Sequence, residues 1–219
     1  MWFLERDILL TVQHLSGKEN IRADTESRVM KDRSDWMLKP SIFQRVLDRF
    51  PYLEIDLFAS RLTFQLPRFF SWRPDPLAEA TDAFLQDWRD VKGYANPPWN
   101  LIGRVLAKIE EQEAEVILIA PIWPSQPWYP RLLRLLVSTP LRIDPQEEVM
   151  EAELLPELTP SLAVWPISDN TTRVKDFQEK LQISSCYLGG RNPHNLMTRS
   201  VRDGSAGVLN GSLILFQDL

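Results

Sequence analysis

Five consecutive apolar residues, Val116-Ile117-Leu118-Ile119-Ala120, stand between Glu115 and Pro121. The run is too short for a buried helix and shows no polar alternation, so it reads as a strand buried on both faces. Such a strand needs cover on either side, and the flanking sequence offers it. Ser41 can cap a helix whose apolar positions Ile42, Phe43, Val46, Leu47 and Phe50 share one face. Tyr52 to Phe58 is a strand candidate, and Tyr94-Ala95 ends another. Asn100 can cap a helix from Leu101 to Glu113, and a further helix runs through Tyr129 to Val137. Strands follow near Leu141-Arg142-Ile143 and Leu162-Ala163-Val164-Trp165. This alternation from Ser41 to Ile167 is the pattern of an α/β unit.

Composition narrows the function. At 219 residues the chain suits one fair-sized domain with appendages, and 44% hydrophobic with 25% charged residues excludes wholesale disorder. Lys and Arg number 25 against 30 Asp and Glu, a net charge of −5. Non-specific coating of phosphate backbones is disfavoured, although a local basic patch stays open. Cys186 is the single cysteine, which excludes an internal disulfide and a thiolate zinc cluster. His14 and His194 are far apart and leave little for a histidine metal site. Glu5, Arg6 and Asp7 argue against a signal peptide, and no apolar run reaches membrane-spanning length. The expectation is an intracellular chain, nuclear or cytoplasmic, without a membrane partner. Between Gly17 and Gly189 only Gly93 and Gly103 occur, so neither a Walker loop nor G-x-G-x-x-G can be written. Proline and tryptophan cluster instead in Pro97-Pro98-Trp99 and in Trp123 to Pro130, turns that line a groove or cap a core.

Three stretches differ in character. Residues 1–35 read as a strand, Ile8 to His14, a polar turn at Gly17 and a charged segment. Residues 40–167 carry the α/β pattern. Residues 168–219 read as a linker or loose tail, where Gly189-Gly190, Gly204, Gly207 and Gly211 return among Asn and Ser. Asp144 to Leu158, acidic without one basic residue, reads as a solvated loop.

Asn96-Pro97-Pro98-Trp99 is the most chemically suggestive segment. Two prolines directly after a strand stop the ladder, since neither offers an N–H and each locks φ. An Asn side-chain oxygen and a backbone carbonyl can then accept both protons of an exocyclic amine, freeing its lone pair for attack on an electrophilic methyl group. Trp99 can stack on the base that carries the amine. The carboxyl end of a strand in an open α/β sheet is where ligands bind. A plain Pro-Pro turn beside a buried tryptophan is the alternative.

Taken together, Asp56-Leu57-Phe58-Ala59-Ser60, Asp82-Ala83-Phe84-Leu85-Gln86-Asp87-Trp88 and Asn96-Pro97-Pro98-Trp99 resemble phage-type DNA adenine methyltransferases. That family carries Asp-x-x-Ala-Ser, an acidic segment ending in Asp-Trp, and Asn-Pro-Pro followed by an aromatic. The resemblance spans about residues 40–145 and implies a Rossmann-like, methyltransferase-type sheet flanked by helices, using S-adenosylmethionine. It puts Asp56, Phe58, Ala59, Ser60 and Asp87 on the cofactor side, and Asn96, Pro97, Pro98 and Trp99 on the target amine. The glycines common in such cofactor segments are missing here. Read on its own, Asp56 at a strand end suits a cofactor's ammonium group or ribose hydroxyl, or a turn; Asp82 and Asp87 suit local capping equally well.

His14-x-x-Gly17-x-x-Asn20-x-x-Ala23-Asp24-x-x-Ser27-Arg28 resembles the last strand and helix start of the ribonuclease H domain in retroelement reverse transcriptases. Asp24 would match a metal-binding carboxylate there. One carboxylate cannot hold two divalent ions, so no RNA hydrolysis and no metal are expected. A ribonuclease H remnant followed by a methyltransferase-like region is similar to the polyprotein of DIRS-type retrotransposons, where a tyrosine recombinase follows. The resemblance implies a fragment of such a polyprotein, with its other parts and DNA as partners and methyl transfer to adenine as its activity. A non-catalytic connector between polymerase and recombinase, or a decayed reading frame, are the rivals.

Overall fold

The computed structural model describes residues 37–143, 161–187, 206–209 and 212–219. The 1–35 remnant with Asp24, the acidic run at 144–158 and His194 lie outside the described residues. In chain order the elements are α1 (Pro40–Arg49), β1 (Ile55–Ala59), β2 (Arg68–Ser71), β3 (Ala80–Thr81), β4 (Lys92–Ala95), α2 (Ile102–Gln112) and β5 (Glu115–Pro121). Then come α3 (Tyr129–Arg134), β6 (Leu141–Arg142), β7 (Leu162–Ser168), α4 (Thr171–Tyr187), β8 (Ala206–Leu209), β9 (Ser212–Leu215) and β10 (Gln217–Asp218). Short 3-10 turns occupy Ala83–Leu85 and Trp99–Leu101.

One mixed eight-stranded sheet has the order β10-β6-β7-β5-β4-β1-β2-β3, and β8 pairs with β9 apart from it. Strands β1 to β5 are mutually parallel. Strand β7 runs antiparallel between β5 and β6, and β10 is parallel to β6. The chain steps outward from β1 through β2 to β3, then returns to the other side of β1 as β4. Strand order therefore reverses between β1 and β4, the place where the carboxyl ends of an open sheet leave a crevice. The β1–β2 connection, residues 60–67, contains no helix, although parallel strands are ordinarily joined through longer crossovers.

The apolar run of β5 is buried on both faces, as its sequence requires. Ile117 and Ile119 join the layer of α1, with Ile42, Phe43 and Val46. Val116, Leu118 and Ala120 join the layer of α2 and α3, with Val105, Leu106, Ile109, Leu132 and Leu133. Each large apolar side chain buried this way contributes about 1.5–3 kcal/mol relative to exposure. Pro166, inside β7, faces Ile117 across the ladder. Its carbonyl accepts the Val137 N–H at 3.1 Å on the opposite edge. N–H and C=O of one strand residue point the same way, so the missing donor faces residue 137, before the start of β6, and breaks no β5 bond.

Local details differ from the sequence reading. Ser41 lies inside α1, which starts at Pro40 with Lys39 before it and no side-chain cap; a proline's fixed φ suits that first turn. Asn100 does not cap α2, because the Trp99–Leu101 turn leads straight into it. Of the expected loose tail at 168–219, residues 188–205, 210 and 211 lie outside the described residues, and the remainder holds regular structure. Thr171–Tyr187 is helical and Phe177 is buried. Phe216 meets Trp165 edge-on at 5.4 Å, and Arg45 of α1 donates to the Leu219 carbonyl. The glycines between 189 and 211 mask the apolar residues of the final segment from a composition reading.

Candidate functional site

Strand register fixes what can meet at the switch point. Asp56 pairs with Tyr94 and Ile55 with Gly93, so two residues further on Phe58 comes level with Asn96. Strand β4 ends at Ala95, which makes Asn96 the first residue beyond its tip. Pro97 and Pro98 cannot extend the ladder, and the Pro98 carbonyl accepts the Leu101 N–H at 2.8 Å to turn the chain into α2. Asn96 is 7% exposed, Pro97 is buried, and Pro98 and Trp99 are half-buried. The Trp99 ring packs against both core layers and meets Trp123 edge-on, centroids 6.3 Å apart. Trp123 follows β5 and is 39% exposed. An amide, two rigid prolines and Trp99 thus follow the tip of β4, with Trp123 reaching Trp99 from the neighbouring tip of β5.

On β1 the sequence reading needs a correction. Asp56 is the second residue of the strand, three short of its carboxyl end, and only 2% exposed. One carboxylate oxygen accepts the Phe58 N–H at 3.3 Å and the other accepts the Gln65 N–H at 3.1 Å. The Gln65 side chain donates to the Leu38 carbonyl at 2.9 Å and accepts the Tyr94 hydroxyl at 2.9 Å. Burial, reinforced by the Asp56 charge, pushes the Tyr94 hydroxyl well above its usual pKa. Asp56 therefore holds the connection after β1 in place rather than standing at the tip.

The tip itself is formed by Phe58, Ala59 and Ser60. Ala59 is 4% exposed. The Ser60 N–H donates to Thr63 Oγ1 at 3.0 Å, and the Ser60 carbonyl accepts from Thr63 and Phe64, closing a tight turn without glycine. Phe58 is half-buried and meets Phe84 at 5.4 Å and Trp88 at 6.1 Å.

Asp82 stands directly after β3 with φ 55° and ψ 100°, a left-handed conformation that side chains rarely adopt. One carboxylate oxygen accepts the Phe84 N–H at 2.9 Å, and its own N–H donates to the Ser71 carbonyl at 2.8 Å. The second oxygen has no hydrogen-bond partner among the described residues. Capping, one sequence expectation, is what Asp82 does with half of its carboxylate; the backbone strain has no signature in the sequence.

Asp87 is not brought to this tip. It is exposed and paired with Arg89, whose hydrogen bonds hold its carboxyl down at about 2. The next residue, Trp88, donates its N–H to Gln112 at the end of α2, at the opposite end of β4 and β5 from Asn96. Trp88 is 1% exposed and its indole donates to the Ala83 carbonyl at 2.8 Å, so the Asp-Trp pair anchors the core.

Sequence reasoning passed over the cations here. Arg104 and Lys108 of α2 lie over the rings of Phe84 and Trp88, at 4.0 and 5.4 Å. Both pairs are spaced four residues apart, which is the signal that was available. Among the described residues no helix is long and apolar enough to cross a membrane. No family model matches the chain, and a search of the curated proteins finds no match.

Proposed function

We propose that residues 40–167 form a Rossmann-like, adenine-methyltransferase-type domain from a DIRS-type retroelement polyprotein, acting on the exocyclic amine of adenine in DNA. The observation that carries this reading is Asn96-Pro97-Pro98-Trp99 at the tip of β4, beside β1 at the point where strand order reverses. The parallel order 3-2-1-4-5 is the doubly wound order that such a reading requires.

S-adenosylmethionine would supply an electrophilic methyl group. The residues at hand fit it. The half-buried ring of Phe58 suits a cationic sulfonium, small Ala59 and Ser60 let the backbone come close, and the open Asp82 oxygen suits a ribose hydroxyl or an amine. Asp56 orients this segment through Phe58 and Gln65. Asp87 takes no part, being held by Arg89. Asn96 accepts one amine proton, the carbonyl of Pro97 or its neighbour accepts the other, and Trp99 offers a ring face to the base.

Calorimetry with S-adenosylmethionine, followed by methyl transfer to adenine-containing DNA, tests the proposal. Asn96→Ala is expected to abolish transfer while cofactor affinity changes less than about threefold. No heat of binding at millimolar cofactor overturns it.

A second reading, a non-catalytic connector between polyprotein parts, is favoured by one observation. Asn96 is only 7% exposed and Trp99 packs on both core layers, as a core cap would. On that reading Asn96→Ala lowers stability and nothing else.

A further inference from the structure

Beyond the tip of β2 the chain leaves Trp72 59% exposed, with the Arg73 guanidinium 4.0 Å from the ring centroid. An exposed indole is costly in water, and this one is neither folded back nor covered by a carboxylate-paired arginine. Among the described residues Arg73 has no ion pair; the nearby Asp75 is taken by Arg61 at 2.7 Å and by the Leu77 N–H at 2.9 Å. Around it Arg61 is paired with Asp75 and Arg68 of β2 with Glu79, which leaves Arg73 as the cation of the β2–β3 connection without a carboxylate among the described residues. The same device recurs one strand over, where Arg104, also without an ion pair among the described residues, lies over Phe84.

We infer that Trp72 and Arg73 form a stacking platform for one base of a single-stranded nucleic acid, with Arg73 reaching the adjacent phosphate. A guanidinium seated over one face of an indole leaves the other face for a ligand and keeps N–H groups for an anion. A ligand with both a π face and a negative charge at each repeat satisfies both groups, and nucleic acid strands have that chemistry. Trp72 follows β2 and Asn96 follows β4, with β1 between them. Two strand spacings separate the tips, ~10 Å. A base seated on Trp72 thus belongs to a near neighbour of the nucleotide presented to Asn96. The platform deepens the reading above by naming the strand that reaches the amide, and it rests on that reading for the choice of nucleic acid.

The test is fluorescence anisotropy of a labelled dT oligonucleotide on the full chain, without cofactor. Trp72→Ala should weaken binding about tenfold and Trp72→Phe only about twofold, because a phenyl ring still stacks. Arg73→Gln should lower the slope of log affinity against log salt by about 0.7. An oligonucleotide with abasic sites should bind the wild type and Trp72→Ala alike. Equal dT affinity for wild type and Trp72→Ala, or no binding by the wild type, overturns the platform. Methyl transfer measured in parallel separates the two ideas: transfer with unchanged dT affinity in Trp72→Ala sinks the platform alone, and base stacking without transfer sinks the enzymatic reading alone.

Discussion

The Asp56 carboxylate accepts the Gln65 backbone N–H at 3.1 Å, tying the middle of β1 to the helix-free connection that leads into β2. With Asp56 2% exposed, that bond has no water to replace it. Asp56→Ala strands two part-buried N–H groups, of Phe58 and Gln65, and should cost about 1–3 kcal/mol in urea unfolding. Asp56→Asn keeps one acceptor and should cost about half as much. Equal stability of Asp56→Ala and wild type would show the two bonds to be dispensable.

Gly93 of β4 places a second constraint on β1, from its other side. A Cβ built there lies 2.6 Å from Leu57 Cδ1 and 3.1 Å from its Cγ, so the Leu57 side chain, 1% exposed, would have to shift within the core. Gly93→Ala should cost about 1–3 kcal/mol through overpacking. Combined with Leu57→Val, which withdraws the clashing methyl, the two changes should cost less than the sum of their separate effects in a double-mutant cycle. Strict additivity would place the strain elsewhere.

These two residues also show what the sequence discloses and what it hides. The run at Val116 to Ala120 announced a central strand because burial on both faces leaves a composition signature. Asn96-Pro97-Pro98 announced a strand tip because proline stops a ladder wherever it stands. Asp56 lies short of the strand end expected for it because nothing local marks where a parallel strand ends: Ala59 is set by pairing with Ser71, a partner twelve residues away. The strained backbone of Asp82 and the ring contact of Arg104 have no local signature for a related reason. Positive φ and a guanidinium over a ring both come from how distant segments dock, whereas capping and periodicity are written within a few neighbouring letters.

At the amino edge of the sheet Glu115 is held by Lys92 at 2.5 Å and by Arg173 of α4. Burial acts to raise its carboxyl, but hydrogen bonds from Arg173 and Lys92 outweigh it, and the group lies below its usual 4.5. A depressed carboxyl stabilises the fold above the unfolded-state value and loses that effect as pH falls through the folded-state value. Glu115→Gln should therefore cost about 1 kcal/mol at pH 7, modest because both cations are partly solvated. The gap to wild type should close below pH 4.5. A gap unchanged in acid would mean that the ion pairs contribute nothing.

Tyr129, at the start of α3, is 4% exposed, and its hydroxyl has no hydrogen-bond partner among the described residues. Burial raises that hydroxyl to about 12. The ring is well used, meeting Trp165 edge-on at 5.8 Å, so the oxygen alone is the liability. Tyr129→Phe keeps the packing and removes a desolvated polar group, and should raise stability by about 1 kcal/mol. A loss of stability in thermal unfolding would reveal that a water molecule serves the hydroxyl.

Asp82 separates a structural role from a ligand-binding one more cleanly than any other residue at the strand tips. Its capping oxygen and its φ of 55° are both tolerated by asparagine, which still accepts the Phe84 N–H and still enters left-handed backbone at low cost. Asp82→Asn should therefore unfold within about 0.5 kcal/mol of the wild type. What asparagine cannot supply is the negative charge on the second oxygen. If that oxygen receives a hydroxyl or amine of S-adenosylmethionine, the neutral variant should bind the cofactor about tenfold more weakly, since a hydrogen bond to a charged group is worth about 1.5–3 kcal/mol. Asp82→Ala should instead lose both cap and affinity. Unchanged calorimetric affinity in Asp82→Asn would reduce Asp82 to a strained cap and remove one of the groups offered to the cofactor.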